Sequence, residues 1–436
     1  MRKAPTLRPP SRPLRIGIAI AAVFACAGAF AQSDKERIAE LERRLDQTVQ
    51  QLQQLQQSLQ RAPQVGTTAA AQPASPDLAA KVQQLERDVA ASANRRDEDR
   101  GLAVHGFADV GLAAGSKERN VGGNIGSLDL YLTPTFGDRV KTLFELNFEV
   151  SPQGSVLGDL ERLQVGYIVS DELTLWAGRY HTPLGYWNTA FHHGAQIQTS
   201  IKRPLFLEFE DLGGILPAHT VGLWATGGVK LGGGRLNYDL YAGNAPTIAV
   251  ADASITGTGT LNIGLNGARN RSATVGANLS YAFKGALDGL TLGAHALTSK
   301  VADSLDIPNQ TRLGIYGGWL TYLKDDWEIA GELYEFRNRD LSGSSGTHTS
   351  HAGYLQAGRT FGTITPFARF ERTSLDQSDN YFAQLESGHS YKRIALGVRY
   401  DMNPSTALKL EAHRTSFTDR ITDSYSDVRA QWAVRF

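Results

Sequence analysis

The chain has 436 residues with 44 basic and 44 acidic side chains, so its formal net charge is zero. That balance lacks the basic excess of a nucleic-acid binder, and no nucleic-acid partner is expected. The single cysteine, Cys26, leaves no disulfide or thiolate-metal framework.

Residues 1–31 read as a secretory signal. Arg2, Lys3, Arg8, Arg12 and Arg15 form a basic start, and Ile16 to Phe30 is an apolar run too short for a comfortable membrane span. Ala29-Phe30-Ala31 fits a small-x-small cleavage site, which discards Cys26. Lipoprotein processing at Cys26 is the rival, and Phe24 fits it poorly.

Residues 32–60 predict a periplasmic coiled coil. Ile38, Leu41, Leu45, Thr48, Leu52, Leu55 and Leu59 step alternately by three and four. One helix cannot bury so narrow a stripe alone, so the seam implies association between chains. An amphipathic helix lying on another surface is the alternative. Residues 61–77, with Pro63, Pro73 and Pro76, read as a linker. Residues 78–100 carry a shorter seam (Leu78, Val82, Leu85, Val89) and then a charged hinge.

From residue 101 to 436 the period becomes two, which predicts strands. Sixteen candidates fall at 102–112, 126–135, 139–150, 160–169, 172–180, 219–231, 234–243, 273–284, 289–299, 311–323, 326–337, 351–360, 363–373, 390–401, 405–417 and 426–436. Tight links such as Ser170-Asp171, Gly232-Gly233 and Lys324-Asp325 alternate with long polar stretches. Short turns on one rim, long loops on the other and an even strand count characterise outer-membrane barrels. The predicted fold class is therefore an all-β transmembrane barrel of about 16 antiparallel strands, preceded by a short helical coiled coil.

The final segment shows the alternation most sharply. Val428, Ala430, Trp432, Val434 and Phe436 share one face, and Asp427, Arg429, Gln431, Ala433 and Arg435 the other. The apolar face suits lipid. Charges repeated on the opposite face suit a water-filled lumen better than a dry core. Tyr131, Tyr167, Trp327, Tyr400 and Trp432 are candidate interfacial girdle residues. Trp432 and Phe436 are the candidate assembly residues of the closing strand.

Signal, periplasmic seam, about sixteen strands and terminal Phe436 together resemble Gram-negative outer-membrane porins. The chain is most similar to the trimeric DcaP-like porins with an N-terminal coiled coil, and next to the phosphate-selective O/P porins. The resemblance implies a homotrimer in outer-membrane lipid, insertion by the outer-membrane assembly machinery, and passive diffusion of small hydrophilic solutes. It also implies that the third long loop folds into the lumen.

Counting along the ladder, that loop is Tyr180 to His219. It holds four of the ten histidines, and its Phe, Trp, Leu and Ile content is too high for a disordered segment. Its candidate constriction residues are Glu208, Glu210, Asp211, His192 and His193. By parity, Arg369, Arg393, Arg399, Lys409 and Arg429 point inward, as does Arg162, and they are the candidate pore-wall bases. Acids on the loop facing bases on the wall would set a transverse field. Mutual pairing that merely pins the loop is the other reading, and both stay open. Inward acids (Glu145, Glu149, Asp239, Glu328, Glu332, Glu371, Glu411) nearly balance the bases, so no basic ladder is apparent. His181, His192, His193 and His219 invite a zinc reading, but adjacent His192-His193 is not a useful ligand spacing. A lumen-lining polar role is expected instead, with no metal and no cofactor. Three functional classes remain: a diffusion channel, a barrel plugged by its loop with the coiled coil as a tether, and an outer-membrane hydrolase. The absence of a GxSxG elbow weighs against the last.

Overall fold

The alternating segments pair edge to edge as strands in a computed structural model that describes residues 104–116, 121–150, 154–191, 193–250, 259–264, 272–303, 310–418 and 423–436. The predicted signal, coiled coil, linker and hinge, and His192, lie outside the described residues.

The barrel strands are β1 (Val104–Gly115), β2 (Val121–Leu132), β3 (Val140–Val150), β4 (Val156–Ser170), β5 (Leu173–His181), β6 (His219–Leu231), β7 (Gly234–Asn244) and β8 (Ala273–Ala282). They continue as β9 (Leu290–Asp303), β10 (Gln310–Lys324), β11 (Trp327–Asp340), β12 (Thr347–Arg359), β13 (Ile364–Ser374), β14 (Tyr391–Asn403), β15 (Thr406–Phe417) and β16 (Tyr425–Arg435). Each pairs antiparallel with its neighbours, and β1 pairs with β16 from Phe107↔Arg435 to Gly115↔Asp427. The result is a closed barrel of sixteen strands with no free edge. Closure extends to the terminal residue, whose backbone exchanges hydrogen bonds with Gly106 at 3.0 and 3.1 Å. A side chain at position 106 would meet the Phe436 ring.

Three short strands supplement the sixteen. Thr135–Phe136 adds to β3, and Thr247–Val250 forms a hairpin with Gly259–Asn262 inside the long β7–β8 connection. The boundaries also correct the sequence reading. Gly-rich residues 121–125 and residues 156–159, expected as loop, are strand because β1 and β3 supply their backbone partners. The period-two signal is weak there because glycines interrupt it and adjacent Val156 and Leu157 do not alternate with polar residues.

Inward and outward rows follow the expected parity. On β13, Thr365, Phe367, Arg369, Glu371 and Thr373 are buried while Ile364, Pro366, Ala368, Phe370 and Arg372 are exposed. On β16, Val428 and Trp432 are exposed and Gln431 and Ala433 buried. Tyr167, Trp327 and Tyr400 lie on the outer face as girdle residues should. Tyr131 does not: it sits opposite Glu145, edge-on to Phe107 and under the Arg162 guanidinium.

One expectation about the lumen is corrected. On β9 to β12 the inward row carries many buried apolar side chains (Leu297, Val301, Leu313, Ile315, Ala330, Tyr334, Phe336, Ala352 and Tyr354) between buried polar ones such as Ser299, Glu332, Asn338 and Gln356. The apolar ones form one cluster with Leu184, Trp187, Phe206, Ile215 and Leu216 of the loop after β5 and with Tyr381, Phe382 and Leu385 of the loop after β13. This side of the barrel is closed by a packed core in which apolar side chains are interleaved with buried polar ones such as His295, Glu332, Asn338 and Gln356. Alternation marks the parity but cannot say which inner face is wet.

Candidate functional site

The connection from β5 to β6, residues 182–218, is the third long loop, and its sequence explains its shape. Pro183, Pro204 and Pro217 bar continuous strand or helix. What remains is a one-turn helix, α1 (Trp187–Ala190), and two 3-10 turns, Leu205–Leu207 and Glu210–Leu212. Asn188 fastens the loop's ends by donating to the carbonyls of Thr182 (2.9 Å) and Ala218 (2.8 Å). Gly185 has φ +75°, and a Cβ there would collide with the Glu332 carboxylate and Tyr334 hydroxyl. Only glycine permits that approach.

The loop lies inside the barrel. On the dry side Glu332 accepts from the backbone of Tyr186 (2.9 Å) and Trp187 (2.8 Å) and from the Tyr334 (2.7 Å) and Tyr354 (2.9 Å) hydroxyls. Across the lumen the wall bases bind loop carbonyls. Arg399 donates to Gln196 O (2.5 Å) and Gln198 O (2.9 Å), and Lys409 to Ala195 O and Ser200 O. Glu411 accepts from Ile201 N (2.7 Å), and Glu371 from Leu205 N (2.8 Å). Arg369, 1 % exposed, donates to Glu371 (2.9 Å), Ser200 Oγ (2.9 Å), Gln356 (3.1 Å) and the Arg203 carbonyl (3.4 Å). These are charge-assisted bonds in an interior little screened by water, where each is stronger than a neutral one.

Near the β2–β4 wall the loop meets a histidine–carboxylate group. His219 lies between Glu210 (2.6 Å) and Glu161 (2.8 Å). His193 reaches Glu161 at 3.2 Å and Asn147 at 3.1 Å, and His181 faces Glu145 at 3.3 Å. Arg162 is bound to the same Glu145. Among the described residues, no grouping of His, Cys, Asp and Glu has the geometry to hold a metal ion.

Two cavities flank the loop. One, of about 480 Å³, is lined by Lys202, Arg203, Glu208, Arg393, Asp427 and Arg429, with Asn124 and Tyr425 at its side. The other, of about 360 Å³, is lined by Glu149, Asp159, Glu161, Arg179, Glu210 and Asp211, with His193 and His219 behind them. The predicted acids are thus divided. Glu208 shares the basic cavity with Arg393 and Arg429, while Glu210 and Asp211 belong to the acidic one. Arg369, Arg399 and Lys409 hold the loop itself.

The local field follows from these neighbours. Asp211 keeps an exposed side chain but sits deep within the lumen, and the surrounding protein, with Glu210 and Glu161, pushes its pKa up to about 6. Burial alone would raise Glu210, yet the His219 charge and hydrogen bond outweigh it and hold its carboxyl below the usual range. Burial would favour a neutral His193, but its bond to Glu161 raises its pKa. Burial lowers the Arg203 guanidinium despite the nearby Glu208 and Glu210.

The sequence offered no third partner for a Ser–His pair, and the structure supplies one on the long-loop rim. His348 is 2.8 Å from Asp376 and 3.1 Å from Ser345 Oγ. The Ser345 hydroxyl, however, donates to Asp340 at 2.8 Å, so its proton is held by a carboxylate and the oxygen is not activated by the imidazole.

Comparison with solved structures decides the architecture. An anion-selective porin from Comamonas acidovorans superposes with a TM-score of 0.52 at 14 % identity, covering 77 % of this chain and 99 % of that one. This is the porin fold. The porin OmpF of Salmonella typhi, solved with daunomycin (TM-score 0.50, 12 % identity), covers the same 77 % of this chain and 97 % of its own. So does the outer membrane channel DcaP of Acinetobacter baumannii (TM-score 0.50, 11 % identity), which covers 77 % and 97 %. No protein-family model matches the chain, and no curated protein matches it.

Proposed function

We propose that the chain is an outer-membrane diffusion channel for small hydrophilic solutes, with the loop of residues 182–218 as its constriction. The observation that carries this reading is the inner wall. Arg393 of β14 with Asp427 and Arg429 of β16 face one cavity, and Glu149, Asp159, Glu161 and Arg179 of β3 to β5 face the other, while the outer face carries many exposed apolar side chains and suits lipid. A barrel serving only as a plugged tether would have no need of a hydrated, charged passage beside its plug. The separated basic and acidic cavities support a transverse field acting on dipolar or charged solutes.

On this reading the predicted periplasmic seam at 32–60 ties chains together in a homotrimer, and the assembly machinery receives the strand carrying Trp432 and Phe436. The test is purified protein in a planar bilayer. Stepwise single-channel currents in potassium chloride support the channel. Repeated insertion without current supports the plugged barrel instead.

A further inference from the structure

Arg203 is unlike the arginines that hold the loop. Its side chain is 7 % exposed, yet none of its three side-chain nitrogens has a hydrogen-bond partner. Its guanidinium lies 3.8 Å over the Phe209 ring, and Phe209 is stacked on His193 at 4.5 Å. The fork is therefore held flat and pre-positioned by an aromatic plate, with its donors unused. A buried charged donor left without an acceptor is costly, more so than a neutral one. Arg369 and Arg393, equally buried, have acceptors: Arg393 bonds Thr415 (2.7 Å) and the Tyr425 hydroxyl (2.8 Å).

Arg203 lines the 480 Å³ basic cavity. There Arg429 is neutralised by Asp427 at 2.8 Å. Lys202 has no ion pair among the described residues, and neither has Glu208, so the charge facing the free volume is positive with one acid beside it. A guanidinium offers parallel N–H donors that match the two oxygens of a carboxylate. Glu208, the acid of this lining without an ion pair among the described residues, opposes a second negative charge on the guest, as does Glu210 near Arg203, and so favours a monoanion.

We propose that Arg203 anchors a solute-binding subsite on the constriction loop, where a small organic monocarboxylate docks its two oxygens on the guanidinium fork with Lys202 alongside. The body of the solute occupies the cavity toward Asn124 and Tyr425. The subsite rests on the channel reading, since it makes that channel a saturable one for such solutes.

The test is isothermal titration of the full-length chain in detergent with sodium butyrate, butyramide and inorganic phosphate. Saturable binding of butyrate but not of the neutral isostere butyramide is expected. Arg203→Gln is expected to weaken butyrate binding at least tenfold, about 1.4 kcal/mol. Arg203→Lys, which keeps the charge and loses the fork, falls between. Equal binding of butyramide, absence of saturation, or unchanged affinity in Arg203→Gln overturns the subsite. Phosphate binding tenfold tighter than butyrate overturns the carboxylate assignment. If Arg203→Gln gives no folded barrel, the butyrate–butyramide pair and Arg203→Lys decide. Currents in potassium chloride are recorded separately. A chain that conducts but does not bind butyrate loses only the subsite, and one that binds but carries no current loses the channel reading.

Discussion

On β9 to β12 the inward row carries the apolar side chains Leu297, Val301, Leu313, Ile315, Tyr334, Phe336 and Tyr354 with Glu332 among them, whereas on β13 to β15 it carries the charged side chains Arg369, Glu371, Arg393, Arg399, Lys409 and Glu411. Both rows hold the same loop. The first does so chiefly by burying Trp187, Phe206 and Ile215, each fully enclosed, with Glu332 accepting from the backbone of Tyr186 and Trp187. The second does so through several charged side chains bonded to loop backbone, with a cavity of about 480 Å³ beside Arg393. The difference separates two tasks. Apolar burial is non-directional and fixes where the loop lies. Directional polar contacts fix its outline and, on the channel reading, set the field that a solute would cross.

The largest effect is expected from the dry half. Trp187→Ala removes the ring that packs on Tyr354 and Phe191 and lies beneath Arg369. It costs about 3–5 kcal/mol, read as a lower denaturant midpoint, and single-channel current becomes noisier as the loop loses its seat. An unchanged midpoint would deny that the dry half anchors the loop.

The charged half has its own version of that test. Arg369→Leu strands the fully buried Glu371 carboxylate and costs about 3–5 kcal/mol, whereas Arg369→Leu with Glu371→Leu costs much less because both charges leave together. Equal losses in the single and double variants would show that the pair itself does not hold the loop.

Barrel closure is independent of both halves. Phe436→Ser exposes the Gly106 contact and lowers assembly into heat-modifiable barrel, while Gln431→Ser, which loses one inward bond to Asp109 at 2.9 Å, lowers it much less. Equal defects would contradict the assignment of faces on β16.

The smallest expected effect is a titration. Asp211 has a raised pKa of about 6, so it is ionised above that pH and takes a proton as pH falls through it. The acidic cavity then loses one negative charge. Cation preference, read from zero-current potential, is expected to drop between pH 7.5 and pH 5, a window of about one pH unit or more on each side of the pKa. Asp211→Asn is expected to remove that step. A step of full size in Asp211→Asn would assign it to another group.

Much of this was legible in the sequence. The alternation in 426–436 and 139–150 gave the faces correctly, and the position of the third long loop followed from counting turns. The strand starts at Val121 and Val156 were not legible, because Val-Gly-Gly-Asn-Ile and Val-Leu-Gly-Asp do not alternate apolar with polar and pairing with β1 and β3 decides them. Parity placed Glu332 and Arg369 inward but could not reveal that both would be buried under a loop. That depends on Trp187 and Phe206, whose partners are more than a hundred residues away. The orphaned Arg203 was invisible for the same reason, since burial without a partner is a property of the folded loop. His192 lies outside the described residues, so its expected role stays an expectation.

The central claim is that a hydrated passage runs along the charged half beside the loop. It is tested most directly by thiol modification during single-channel recording, in a chain with Cys26→Ser. Asn124→Cys lines the basic cavity and Leu313→Cys lies within the dry half. A charged methanethiosulfonate reagent is predicted to reduce current stepwise in Asn124→Cys and to leave Leu313→Cys unmodified. Unaltered current in a modified Asn124→Cys, or block through Leu313→Cys, would contradict the account.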